Sequence, residues 1–285
     1  MLRYENLDKR PFSDYHRIKM NLSSLKNVAV NAANPKYLAE MLRKARARIT
    51  ERYDQDELSA YGNFCALNQV DADQWARKID ADLWDEAKAF QAEHAVHSAK
   101  ILSEIPVQMG GGGFYSLLYF LTRLTKPACI VETGVAAGFS SRAFLKALGA
   151  NQSGKLVSSD FPYFRLEDPE KYIGILVEPE LKSNWELNIG SDRDNLPVIA
   201  KRHPKIDMLH YDSDKTIRGR QFGLEQLSPC FHEDTLIIFD DIQDNLHFRD
   251  HVATIPNKSL IFEFGGKYIG VIVPNNKSAW IEYAH

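Results

Sequence analysis

Val131-Glu132-Thr133-Gly134-Val135-Ala136-Ala137-Gly138-Phe139-Ser140-Ser141 is the stretch on which the fold turns. The apolar run Cys129-Ile130-Val131 ends in an acid, a glycine turn follows, and a second glycine opens a helical segment over residues 140–148. A buried strand turning tightly into a helix is the opening unit of a βαβ sheet. In open sheets of that kind the ligand crevice lies beyond the carboxyl ends of the strands. Gly134 and Gly138 would let backbone pass close to a cofactor, and Ser140 and Ser141 can cap the helix or reach a carboxylate there. The spacing Glu-x-Gly-x-x-x-Gly lacks the earlier glycine of the dinucleotide fingerprint Gly-x-Gly-x-x-Gly. A Gly-x-x-x-Gly turn is common by itself, so the neighbouring elements must supply the context.

Downstream, strand and helix alternate. Residues 155–159 read as a second strand, 186–189 as a weaker third, and 206–211 as a fourth followed by a helix through Leu227. Residues 235–239, rich in β-branched side chains, read as a fifth. This order calls for a mostly parallel sheet with helices on both faces. Residues 259–264 and 268–273 flank Gly265-Gly266, and two strands joined that tightly must pair antiparallel. The expected fold is therefore α/β, a Rossmann-like doubly wound sheet, mostly parallel with a C-terminal antiparallel hairpin, plus an N-terminal helical extension.

The extension is written differently. Residues 1–109 are rich in Lys, Arg, Glu, Ala and Leu, with almost no strand-like alternation. Tyr37, Leu38, Met41, Leu42 and Ala45 recur at helical spacing after Pro35, which suits a first turn. Trp75, Ile79, Leu83, Trp84, Ala87 and Phe90 form one stripe within residues 73–101, a packing face and not a cofactor box. The chain divides accordingly into 1–109, a lid or an oligomerisation element, and 110–285, a cofactor-binding domain; a homo-oligomer is compatible with it. Gly110-Gly111-Gly112-Gly113 either connects the two flexibly or brings backbone to the mouth of the site.

At 285 residues, 44% hydrophobic and 26% charged, the chain has the make-up of a globular protein. A net charge of −3 offers no basic face for nucleic acid. Cys65, Cys129 and Cys230 show no metal-ligand spacing and read as buried free thiols. The first twenty residues hold no apolar core of signal-peptide length and no stretch approaches a membrane span, so the expectation is a cytoplasmic protein with no membrane partner.

Two groups of acids complete the reading. Asp160 closes the second strand, where a carboxylate can accept hydrogen bonds from both ribose hydroxyls of an adenosine cofactor, nicotinamide dinucleotides included. Gly190-Ser191-Asp192 follows the third strand, as an exposed turn or where an adenine edge is met. Asp212 follows the fourth strand, and Asp240 and Asp241 follow the fifth. Parallel strands aim these ends into one crevice, where the three carboxylates could share a hard divalent cation such as Mg2+; the alternative is capping of the following helices. Lys215 either acts as a base or pairs with Asp212 or Asp214. Arg218 and Arg220 read as surface residues, and His247 as an ordinary core or surface histidine.

Residues 110–241 resemble class I S-adenosylmethionine-dependent methyltransferases, and more narrowly the bacterial branch of macrocin-type sugar O-methyltransferases and cephalosporin-hydroxylase-like proteins. The resemblance implies that Glu132, Gly134 and Gly138 surround the methionine moiety, that Asp160 holds the ribose, and that Asp212, Asp240 and Asp241 bind magnesium; Ser140, Ser191 and Asp192 join them as candidate cofactor-binding residues from their places after the first and third strands. Where such proteins often carry Asp-Gly-Asp-His-Ser-Tyr, this chain reads Asp212-Ser213-Asp214-Lys215-Thr216-Ile217. Lys215 thus replaces the histidine proposed as base in some relatives. The expected activity is metal-assisted O-methylation of a small hydroxylated metabolite or glycoside, with Asp212 and Lys215 at the reacting oxygen. The alternatives are an NAD-dependent oxidoreductase, disfavoured by the missing glycine and the hairpin, and a cofactor-binding protein without catalysis.

Overall fold

The computed structural model describes residues 22–50, 53–105 and 107–284. The first twenty residues, read as lacking a signal segment, lie outside them. The N-terminal part runs α1 (Leu22–Ala32), α2 (Pro35–Thr50), α3 (Gln55–Asn68), β1 (Gln69–Val70) and α4 (Ala72–Leu102). Then come α5 (Tyr115–Thr125), β2 (Cys129–Thr133), α6 (Phe139–Asn151), β3 (Lys155–Asp160), β4 (Trp185–Ile189), α7 (Asp192–Arg202) and β5 (Ile206–Tyr211). The chain closes with α8 (Ile217–Leu227), β6 (Phe231–Phe239), α9 (His247–Val252), β7 (Ser259–Phe264), β8 (Lys267–Ile272) and α10 (Ala279–Glu282).

The eight strands form one sheet in the order β1-β7-β8-β6-β5-β2-β3-β4. All neighbours pair parallel except β6 with β8 and β7 with β8, so β8 is the one reversed strand. The sheet is the expected Rossmann-like one. β2 sits between β3 and β5, where the winding changes direction, and a crevice opens there. All five residues of β2 are buried, as a parallel strand covered on both faces must be.

Two apolar layers flank the sheet. Trp75, Phe120, Phe144, Met208 and Phe262 belong to one, and Val131, Leu209, Phe239 and Phe248 to the other. Packing runs continuously across residue 110. Trp75 on α4 lies 4.9 Å from the Phe262 ring and 5.7 Å from that of Trp280, and its Nε1 donates to the Trp280 carbonyl at 2.9 Å. The stripe on α4 is thus the packing face its spacing implied, although the helix breaks at Asp80 (φ −158°, ψ 99°), whose carboxylate accepts from Leu83 N.

Three expectations need correcting. The N-terminal region is not purely helical, because β1 pairs parallel with β7; two residues are too few to show an alternating pattern. The fifth strand of the reading, β6, starts at Phe231, earlier than its β-branched run at 235–239. The helical spacing on α2 does not mark a buried face: Leu38 and Leu42 are 40% and 61% exposed, and Glu40 alone is buried among the described residues of α1 and α2. Cys65, Cys129 and Cys230 are buried free thiols. Among the described residues no helix is long and apolar enough to cross a membrane.

Candidate functional site

At the end of β2 the chain turns at Gly134, whose N–H donates to the Ser159 carbonyl at 2.9 Å. Its φ is +83°, and a Cβ there would stand 2.7 Å from the Asp212 carbonyl oxygen. Gly138, at φ +95°, caps α6, and a Cβ would stand 2.7 Å from Gly174 Cα. Both glycines therefore admit a close approach of backbone to backbone, and Gly134 also lines the cleft. Beneath this loop Glu132 is fully buried, accepting from the hydroxyls of Ser140, Ser141 and Ser158 at 2.5, 2.6 and 2.7 Å. Ser158 in turn accepts from Trp185 Nε1 at 2.9 Å. Burial raises the Glu132 pKa, and the hydroxyls and His210 work against that rise. Glu132 organises the start of α6 from below, while Ser140 reaches the cleft wall.

Asp160 ends β3 on the cleft wall, and its carboxylate accepts from Ala136 N at 2.8 Å. Burial pushes its pKa up to about 6, against the opposing pull of that N–H and of Phe161 N–H. Asp192 also lines the cleft, held by Ser159 Oγ at 2.7 Å and by Ser213 Oγ. Ser191 does not reach it; its hydroxyl caps α7 and meets Asp194 at 2.8 Å. Gly110, Gly111 and Gly113 border the mouth, so the glycine run does stand at the cleft.

The opposite wall is α2. Glu40, Arg43 and Lys44 face the cleft, which holds about 1090 Å³ of empty space counted out to its open mouth. Arg43 bridges Glu40 at 2.6 Å and Asp214 at 2.7 Å, and Lys44 stands 4.9 Å from the centre of the Phe161 ring. Further out, Asn31 donates to the carbonyls of Phe164 and Leu166 at 2.9 and 3.1 Å, Asn27 to that of Arg165 at 3.0 Å, and Tyr37 to Glu170. The N-terminal helices and the loop after Asp160 therefore close one side of the cleft together.

The acidic group gathers as the parallel strands require. Carboxylate oxygens of Asp212, Asp240 and Asp241 lie within 4.8 Å of one another. Burial, and next the Asp212 charge, push Asp240 up to about 7, and its Oδ1 is buried without a hydrogen-bond partner. Against a burial that opposes ionisation, the Lys215 ammonium holds Asp212 below the usual carboxylate range. Lys215 pairs with Asp241 and lies 3.0 Å from Asp212 Oδ1; Asp214 pairs with Arg43 instead. Asp241 has φ 48° and ψ 48°, a left-handed conformation uncommon outside glycine that aspartate tolerates better than most residues.

Several site residues escaped the sequence reading. Arg220, taken for a surface residue, is 0% exposed, and its Nη2 donates to the carbonyls of both Asp240 and Asp241 at 2.9 Å. It pins the turn that presents the two acids, and burial lowers its pKa. Its helix carries glycines at 219 and 223, whose added Cβ atoms would meet Asp214 and Tyr211, and that is the signal that this face packs inward. His210 borders the cleft with Nδ1 buried and unpartnered, its pKa lowered by burial. Phe114, Tyr115, Lys267 and Ile269 complete the wall. His247 is a buried residue stacked on His251 away from this cleft, and Arg218 is exposed.

Residues 131–242 match the family model described as a methyltransferase domain. No curated protein matches the chain. Among solved structures, a methyltransferase from Geobacter sulfurreducens aligns with TM-score 0.50 and 21% identity, over 64% of this chain and 90% of that one. An O-methyltransferase from Bacillus cereus in complex with S-adenosylhomocysteine aligns at 0.48 and 17%, over 70% and 96%. The O-methyltransferase TomG from Streptomyces achromogenes, in complex with S-adenosylmethionine, aligns at 0.47 and 15%, over 79% and 100%. The Geobacter likeness shows the fold, and the family match gives the chain a methyltransferase domain, so it is an enzyme of that kind.

Proposed function

We propose that this enzyme transfers a methyl group from S-adenosylmethionine to a hydroxyl oxygen prepared at Asp212, Asp240 and Asp241. The observation that carries the reading is the meeting, in one cleft, of a glycine turn with an adenosine-type acid and with Asp212 and Asp240, whose carboxylates gather with that of Asp241. Gly134 and Ala136 offer backbone at the turn, Asp160 a carboxylate suited to two ribose hydroxyls, and Phe161 an aromatic face beside it. When bound, the cofactor supplies an electrophilic sulfonium methyl.

Three buried or half-buried oxygen donors, one of them the unpartnered Asp240 Oδ1, fit a hard divalent cation such as Mg2+. A cation held there would gather neighbouring acceptor oxygens and lower the pKa of the hydroxyl to be methylated. Arg220 fixes the backbone of two of these acids, so they need little rearrangement. Lys215 is an ammonium in its pairs with Asp212 and Asp241, so it meets the acceptor oxygen as a cation and would take the hydroxyl proton only after giving up one of its own to solvent. Displacement at a methyl carbon is in line, so most of the catalysis is orientation of the oxygen against the methyl group. Lys215 stands where the macrocin-type branch often has histidine, so kinship with that branch rests on the motif residues and does not extend to the base.

Asp241→Ala should remove metal-stimulated turnover, by about a hundredfold or more for a lost electrostatic group, while S-adenosylhomocysteine binding measured by calorimetry survives. Turnover that persists in excess chelator would sink the metal assignment and leave the cofactor assignment standing.

A further inference from the structure

The β7–β8 hairpin adds a cation to the cleft that the reaction as described does not use. Its turn at Gly265-Gly266 delivers Lys267 to the wall, two residues before Ile269 on the same face of β8. The Lys267 ammonium lies 3.1 Å from Asp241 Oδ1, while Lys215 holds the other oxygen of that carboxylate. Two ammonium groups thus share one acid. Beside Lys267 the wall carries apolar side chains: Ile269 is 3% exposed, and Phe114, which lines the cleft, is stacked at 4.5 Å on Phe264 of the same hairpin.

We infer that Lys267 selects the acceptor, and that the acceptor is a planar hydroxylated carboxylic acid whose carboxylate binds the Lys267 ammonium. The inference rests on the methyltransferase reading above. Once Asp241 gives one oxygen to a cation, a single oxygen is left for two ammonium groups, and a half-buried ammonium then needs another anion. Asp212 and Asp240 serve the same cation. The incoming molecule is left to supply the carboxylate. Its ring then lies along Phe114 and Ile269, and its hydroxyls reach the acids and Lys215.

The test is calorimetry on full-length protein loaded with S-adenosylhomocysteine and Mg2+, using 3,4-dihydroxybenzoate and its uncharged isostere 3,4-dihydroxybenzamide as probes. A charge-assisted hydrogen bond corresponds to about tenfold or more in affinity, so the wild type should bind the acid at least that much tighter. Lys267→Met should level the two, and Lys267→Glu should reverse them. The ratio compares two ligands on one protein, so a general loss of folding does not move it. Chelating the metal should shrink the preference, because Asp241 then reclaims Lys267. Equal binding by the wild type, a preference that survives Lys267→Met, or binding of neither probe to protein that does bind S-adenosylhomocysteine overturns the inference alone. Failure to bind S-adenosylhomocysteine overturns the reading beneath it and the inference with it.

Discussion

The two halves of the cleft are built to different degrees of completion. At Glu132 the carboxylate is answered on both oxygens: three hydroxyls donate to it, Trp185 completes the chain, and Gly134 and Gly138 seal the loop against other backbone. Around Asp240 little is answered. One oxygen has no partner, a neighbouring acid sits in a left-handed conformation, and two lysines crowd a single carboxylate. The first half is a finished piece of protein that presents a surface. The second is electrostatically unbalanced. Changes in the first should therefore be read in stability, and changes in the second in function.

Glu132→Ala is the hardest test of that division. It strands three buried hydroxyls and opens a cavity, so denaturant unfolding should show a loss of about 3–5 kcal/mol. Glu132→Gln keeps one acceptor oxygen and should lose less. If Glu132→Ala unfolds like wild type but no longer binds S-adenosylhomocysteine, the residue is a ligand contact and the comparison fails on its completed side.

That distinction also explains what could be read from the sequence. The sheet was legible because buried parallel strands such as 129–133 and 206–211 are written as apolar runs and the hairpin is marked by paired glycines. The acids were legible because they end strands. Arg220 was not, since an arginine on a helix looks the same whether it faces water or the back of a turn, and only packing decides. Arg43 lies 171 residues from Asp214 and Lys267 lies 26 from Asp241, and no local pattern encodes a contact such as Arg43 with Asp214. The short strand β1 and the outward Leu42 were missed for the opposite reason: local spacing there does not report what the element packs against.

Asp160 stands between the two regimes, a half-buried acid with the backbone donors of Ala136 and Phe161 and a place on the cleft wall. Its folded pKa, raised to about 6, lies above the ordinary carboxylate value. Its contribution to stability is accordingly complete below about pH 4 and is lost as pH rises through 6. Accepting from ribose hydroxyls requires the ionised form. Affinity for S-adenosylhomocysteine should thus fall about tenfold between pH 7.5 and pH 5, with proton release on binding in the acidic range. Asp160→Asn should bind weakly at every pH and show no such slope. A slope that persists in Asp160→Asn would assign the titration to another group.

The smallest effect is the most discriminating. At pH 8 without metal, Asp240 carries a charge that burial and Asp212 both oppose. Asp240→Asn removes the charge and keeps the shape, so the metal-free variant should be more stable than wild type by about 1 kcal/mol, a rise of roughly 2–4 °C in Tm. Added Mg2+ should then stabilise wild type and not the variant, closing or reversing the gap. A completed structural site behaves otherwise: losing a partner there destabilises with or without metal. A metal-free Asp240→Asn that melts below wild type would mean that the acids are already satisfied by Lys215 and Lys267, and the two halves of the cleft would not differ in kind.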